Sequence, residues 1–306
     1  MKNAFLAACL MCLCGAVPGS AKARDNLETI YAAKQGEIII LNALDLVKTT
    51  VGPENLKFFI FEKEYRPLVT GGQTLFIIGV DLAEPPGDYD FLIYCGVEII
   101  FKGKITVLKT NFKTVRFKSV KTTPSVSIAR RIVEEDAAIQ NAINSGENQK
   151  IIFSRSFVCP VQNPKVSCPA GNFGVYRKWL NGHISRHGGI DLKAQYVPIQ
   201  AINDGTVVLT GNFLLEGKFV IIYHGLNIYS FYLHLSDICV QKSQLIKRSE
   251  KIGASGNTGF SKGAHLHFAT RINGKIIDPL KFVEAINEQM KHYKSCLLLT
   301  SPKIGV

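Results

Sequence analysis

Two short histidine segments constrain this chain more than any other feature: His187-Gly188-Gly189-Ile190-Asp191 and His265-Leu266-His267-Phe268. A third histidine lies between them in Phe231-Tyr232-Leu233-His234-Leu235-Ser236. The glycine pair after His187 disfavours a helix, and the alternation in the other two segments predicts strands. Successive strand side chains point to opposite faces, so His265 and His267 share a face while Leu266 and Phe268 pack behind it. The same period sends His187 and Asp191 to one side if their segment is extended. Two or three imidazoles with one carboxylate form the ligand set of a catalytic zinc ion that keeps a position open for water. Spacing alone does not separate the roles of His265 and His267. A helical His-Glu-x-x-His motif is absent.

The first 23 residues read as a removable leader. Lys2 supplies a positive start, Ala4 to Val17 a short apolar stretch, and Ala21-Lys22-Ala23 a small-x-small cleavage pattern after Ala23. The stretch is too short to span a bilayer comfortably. An exported protein of the periplasm or cell envelope is therefore expected. The whole chain carries +12, and loss of Lys2 and Lys22 with the leader leaves +10. No arginine-rich helix or aromatic–basic motif accompanies that charge, so nucleic acid is not expected as a partner. An anionic polymer such as cell-wall material fits better. Five cysteines lie beyond the leader, at positions 95, 159, 168, 239 and 296, with no Cys-x-x-Cys pair among them. Cys159 and Cys168 bracket a proline-punctuated loop and are the best disulfide candidates.

The remaining pattern is mainly β. From Gly36 to Lys118, short strand-like runs recur at regular spacing: 37–41, 57–61, 74–78, 91–94 and 97–101. They predict a β-sandwich-like accessory domain over residues 24–120, with no histidine in it and a binding or positioning role. Residues 121–149 read as a linker helix, because Ile128, Ile132, Ile139 and Ile143 fall near one helical stripe before Ser145-Gly146. Strands and glycine turns return over 150–290, the expected catalytic domain, and 291–306 reads as a basic C-terminal tail. His183 reads as a solvated loop residue, His224 as a turn residue and His292 as surface.

From about Phe157 to Phe282 the sequence resembles the lysostaphin- and LytM-type zinc metallopeptidases, which cut peptide crosslinks in bacterial peptidoglycan. The carrying pieces occur in order: Phe173-Gly174-Val175-Tyr176-Arg177, Asn181-Gly182, the His187–Asp191 motif and Ala201-Ile202-Asn203-Asp204-Gly205-Thr206-Val207. Then come His224-Gly225, Tyr232-Leu233-His234-Leu235, Ile252-Gly253-Ala254-Ser255-Gly256-Asn257-Thr258-Gly259, His265–Phe268 and Asp278-Pro279. The resemblance implies a compact antiparallel β-fold with a groove and a zinc ion at its floor. It implies His187, Asp191 and His267 as metal ligands, His265 as general base, and His234 as a group stabilising the transition state. The chain departs from the family pattern at Lys242–Glu250, Tyr196-Val197-Pro198 and Ala264, which affects loops and substrate fit but no ligand.

The resemblance thus implies an exported zinc endopeptidase acting on peptidoglycan crosslinks, by analogy the D-alanyl–diaminopimelate bridges. An envelope regulatory protein is a further candidate partner. The competing reading is a non-catalytic envelope scaffold or amidase activator that uses the same groove. Relatives of that kind lose metal ligands, whereas every ligand position is filled here.

Overall fold

The computed structural model describes residues 30–47, 52–70, 72–118, 123–144, 153, 156–162 and 172–300, the last nine of these by backbone only. The proposed leader lies outside the described residues. Among the described residues no helix is long and apolar enough to cross a membrane.

The N-terminal half contains β1 (Ile30–Lys34), β2 (Ile38–Asn42), a single helical turn α1 (Ala43–Leu46), β3 (Leu56–Ile60), β4 (Lys63–Tyr65) and β5 (Leu68–Thr70). It continues with β6 (Gln73–Gly79), β7 (Gly87–Cys95), β8 (Glu98–Leu108) and β9 (Thr114–Arg116). One sheet runs β1-β8-β7-β3-β4 and a second runs β2-β6-β5. Period-2 burial explains why they stack: Leu56, Phe58 and Ile60 of β3 point inward while Lys57 and Phe59 do not. Phe58 meets Phe91 of its own sheet at 4.6 Å and Phe76 of the facing sheet at 5.3 Å. This is the sandwich-like arrangement that the strand spacing predicts.

Helix α2 (Val126–Asn144) follows. Only its C-terminal half docks: Ile139 and Ile143 are buried, whereas Ile128, on the expected apolar stripe, stays 46% exposed. The C-terminal half contains β10 (Tyr176–Lys178), β11 (Ile184–Arg186), β12 (Ile190–Leu192), β13 (Pro198–Gln200), β14 (Gly205–Phe213) and β15 (Gly217–Gly225). It ends with β16 (Ile228–Ile238), β17 (Leu245–Ile246), β18 (Lys251–Ser255), β19 (Leu266–Ile272), β20 (Lys275–Ile277) and α3 (Pro279–Thr300). The main sheet runs β12-β19-β16-β15-β14-β17, with β13, β18 and β20 attached to it. Helix α3 continues to Thr300, so the expected tail boundary after residue 290 falls inside a helix. A basic stretch without glycine or proline until Pro302 gives no signal to stop one.

The two halves share one apolar core. Strand β6 is buried on both faces because β19 and β20 cover the face turned away from its partner sheet. Polar ties fix the join: the Ile276 N–H donates to Asp81 Oδ2 at 2.7 Å, and Lys275 pairs with Glu84 at 2.9 Å. Strand β9 leaves the accessory half to lie parallel along β10, completing a small sheet in the order β11-β10-β9. Cys159 is disulfide-bonded, and Cys95 and Cys239 are free thiols. Cys168, its expected partner, lies outside the described residues.

Candidate metal centre

Three neighbouring strands place the histidines. Asp191 on β12 lies directly across from His267 on β19, and His267 lies across from Leu233 on β16. Adjacent residues in register share a face, so Asp191 and His267 converge without any loop to position them. His234 follows Leu233 but does not obey the alternation. Its φ of +62° and the register shift between β15 and β16 mark a bulge, which re-aims a side chain at the cost of one ladder position. Its ring therefore lies 4.9 Å from that of His265 and 6.0 Å from that of His267. His265 precedes β19 and is held by an isolated bridge to Gly256.

The donor atoms of the three predicted ligands form a small triangle. His187 Nε2 is 3.0 Å from Asp191 Oδ1 and 3.0 Å from His267 Nδ1, and His267 Nδ1 is 2.9 Å from the same carboxylate oxygen. A tetrahedral zinc ion with bonds of about 2.0–2.1 Å separates its donors by about 3.3 Å. The chemistry of the triangle fits a cation as well as its size does. His187 Nδ1 lies 2.7 Å from the Asn172 carbonyl, which can only accept, so a neutral His187 turns the lone pair of Nε2 inward. His187 Nε2 and Asp191 Oδ1 are thus two acceptors facing one point, and His267 Nδ1 makes a third when it is unprotonated. Burial opposes ionisation of Asp191, but the His187, His265 and His267 rings outweigh it and hold the carboxyl well below its usual range. Burial pushes His267 down towards the neutral form that a ligand requires.

Two groups organise this triangle: Asn172, which the sequence did not single out, and Arg177, which it placed only within a family motif. Asn172 donates from Nδ2 to Asp191 Oδ2 at 3.1 Å and accepts the Asp191 N–H at 3.0 Å, besides receiving the His187 ring proton. Arg177 lies 3.6 Å from Asp191 Oδ2. Both occupy the outer carboxylate oxygen and leave Oδ1 to the centre. A lone asparagine nineteen residues before Asp191 has no periodicity that could have flagged it. The carbonyl of Thr258 receives His234 Nδ1 at 2.9 Å, and that of Gly263 receives His265 Nδ1 at 2.7 Å. In their neutral forms both rings therefore carry the proton on Nδ1 and a free lone pair on Nε2. Burial pushes His234 down to about 4, whereas the hydrogen bond to Asp191 raises His265.

His183 and His224 stand apart from the centre, and the side chain of His292 lies outside the described residues. His183 is exposed beside Trp179, as expected of a loop residue. His224 is not in a turn: it lies within β15, is fully buried, and bonds the Asp204 carbonyl and Ser230 Oγ at 2.7 and 2.8 Å. The turn follows at Leu226 and Asn227, with φ of +51° and +55°, after Gly225 closes the strand.

Residues 185–279 match Peptidase family M23. Among curated relatives, the chain is 38% identical over 99 residues to the peptidoglycan DD-endopeptidase ShyA of Vibrio cholerae, covering 32% of this chain and 23% of that protein. It is 36% identical over 123 residues to the DD-carboxypeptidase/endopeptidase Mpg of Neisseria meningitidis, covering 40% of this chain and 27% of the other. The match thus spans about a quarter of the length of these relatives. A solved candidate M23 peptidase from Pseudomonas aeruginosa shares the fold over 82% of this chain and 95% of its own, with a TM-score of 0.63 at 23% identity. The C-terminal part of this chain is a Peptidase family M23 domain.

Proposed function

We propose that this chain is an exported, zinc-dependent endopeptidase that hydrolyses peptide crosslinks of bacterial peptidoglycan, the D-alanyl–diaminopimelate bridges in particular. The observation that carries this reading is the triangle of His187 Nε2, Asp191 Oδ1 and His267 Nδ1 beside two further imidazoles. Its support is the family match and the similarity to relatives named as peptidoglycan endopeptidases. His187, Asp191 and His267 would hold the zinc ion, which would supply Lewis acidity towards the scissile carbonyl and towards a water molecule. His265 takes the proton on its free Nε2, and its Nδ1 bond to Gly263 keeps the ring turned the right way. His234 can donate to a developing oxyanion only from a protonated Nε2, because Nδ1 is committed to Thr258. The two Nε2 atoms must therefore hold one proton between them for one to accept while the other donates.

Purified, zinc-loaded protein is expected to release soluble peptides from diaminopimelate-crosslinked peptidoglycan, identified by mass spectrometry. Release of none from any crosslinked type would leave the scaffold reading in its place. Asn172→Ala keeps the backbone carbonyl on His187 but frees Asp191 from both side-chain bonds. Groups that orient ligands typically contribute about 10- to 100-fold in metal affinity. Chelator competition should show a zinc affinity weaker by about that factor; unchanged affinity would remove Asn172 from the centre.

A further inference from the structure

The small β11-β10-β9 sheet brings residues of the accessory half to the metal centre. Its register aligns Val115 of β9 with Arg177 of β10, and Arg177 with Ser185 of β11. Residues aligned in this way share a face, and Arg177 shows which one: its guanidinium reaches Asp191. Val115 therefore lies on the face that Arg177 turns toward Asp191, and it is 46% exposed. Two residues on, Phe117 belongs to the same face. It stacks on Trp179 at 5.0 Å and 15°, and its N–H donates to the Lys178 carbonyl at 2.8 Å. The Lys262 ammonium, on the loop leading into His265, lies 4.5 Å from the centre of the Phe117 ring. Lys262 has no carboxylate partner among the described residues. The opposite face carries the anchor: Arg186 lies between the rings of Phe112 and Tyr176, at 4.6 and 4.7 Å.

We propose that Val115 and Phe117 are specificity-determining residues of the groove, contributed by the accessory half. Val115 offers an apolar wall to a small side chain, and Phe117 holds Lys262 where it meets a free carboxylate of the same peptide. The proposal rests on the endopeptidase reading and names the peptide chemistry that this wall selects. The strand borders the centre without blocking it, since Asp191 and His265 keep 26% and 21% of their side chains exposed with β9 in place. Phe117 works through Lys262 and the loop before His265, so it acts as a positioning residue, whereas Val115 touches the peptide.

The full-length, zinc-loaded protein should be assayed on a soluble crosslinked peptide dimer. Phe117→Ala is expected to raise KM about tenfold with kcat within about threefold, and Phe117→Trp to restore KM. Val115→Asp should lower kcat/KM about tenfold by like-charge repulsion, and most of that loss should disappear when the free carboxylates of the peptide are amidated. Val97→Ala, on the accessory surface, should change nothing. Calorimetric binding of the same peptide to metal-free protein should weaken by matching factors. Binding without any cleavage would overturn the endopeptidase reading while still testing these residues. Variants equal to wild type, or a Phe117→Ala protein that is more active because the strand obstructs the groove, would overturn the proposal. If Phe117→Ala fails to fold, the Val115→Asp amidation comparison decides alone.

Discussion

Replacing His265 with alanine is expected to leave zinc bound and to abolish cleavage, whereas replacing His267, two residues away, should remove both. His267 Nδ1 belongs to the triangle, within 3.0 Å of both other donors. His265 Nε2 stays outside it, 3.5 Å from the shared carboxylate oxygen, with Nδ1 bonded to a carbonyl. Deleting it removes a proton acceptor and no proposed ligand. Loss of a general base typically slows turnover by about 100- to 10,000-fold, while a site reduced from three protein ligands to two seldom retains zinc tightly. Elemental analysis and crosslink cleavage measured on the same preparations distinguish the two outcomes. Full activity in His265→Ala would leave His234 as the proton acceptor, and full zinc in His267→Ala would break the ligand assignment.

The sequence made the strand elements of this centre legible, because period-2 alternation is a property of residue order alone. Asp191 and His267 needed nothing more, since two strands in register bring them together. His234 was legible only in part. The Phe231–Ser236 run reads as a plain strand, yet the residue reaches the centre through a bulge with φ +62°, and no residue type in the run demands one. Asn172 was invisible because its bonds close over a loop, where no repeating pattern exists. Strand β9 was missed for a different reason. Three exposed residues, Thr114-Val115-Arg116, carry no apolar alternation, and their place is set by pairing with β10 some sixty positions later. The apolar stripe of helix α2 overstates its contact, since of the four isoleucines only Ile139 and Ile143 join the buried cluster on the sheet. The face bearing His267 continues through Ala269, Phe231 and Ile221 to the patch under α2.

The paired glycines of His187-Gly188-Gly189-Ile190-Asp191 look equivalent in the sequence and are expected to respond in opposite ways to alanine. Neither has the left-handed backbone that only glycine adopts readily, so space alone decides. A Cβ on Gly188 would meet only Ile276, at 3.6 Å, an ordinary contact. Gly188→Ala should therefore be neutral or stabilising by up to about 1 kcal/mol through the unfolded chain. A Cβ on Gly189 would lie 2.5 Å from the Phe268 carbonyl oxygen, 2.8 Å from His267 Nε2 and 2.9 Å from Ala269 Cβ. The first of these is backbone of β19 and cannot rotate away. Gly189→Ala should cost about 3 kcal/mol, the upper end for inserting a methyl into packed structure. Any relief must come from moving β19, which carries His267, so zinc affinity should fall together with stability. Denaturant unfolding of the metal-free proteins and zinc competition on folded ones separate the two effects. Equal stability and equal affinity in Gly188→Ala and Gly189→Ala would mean that β12 and β19 do not approach as closely as the Asp191–His267 pairing requires.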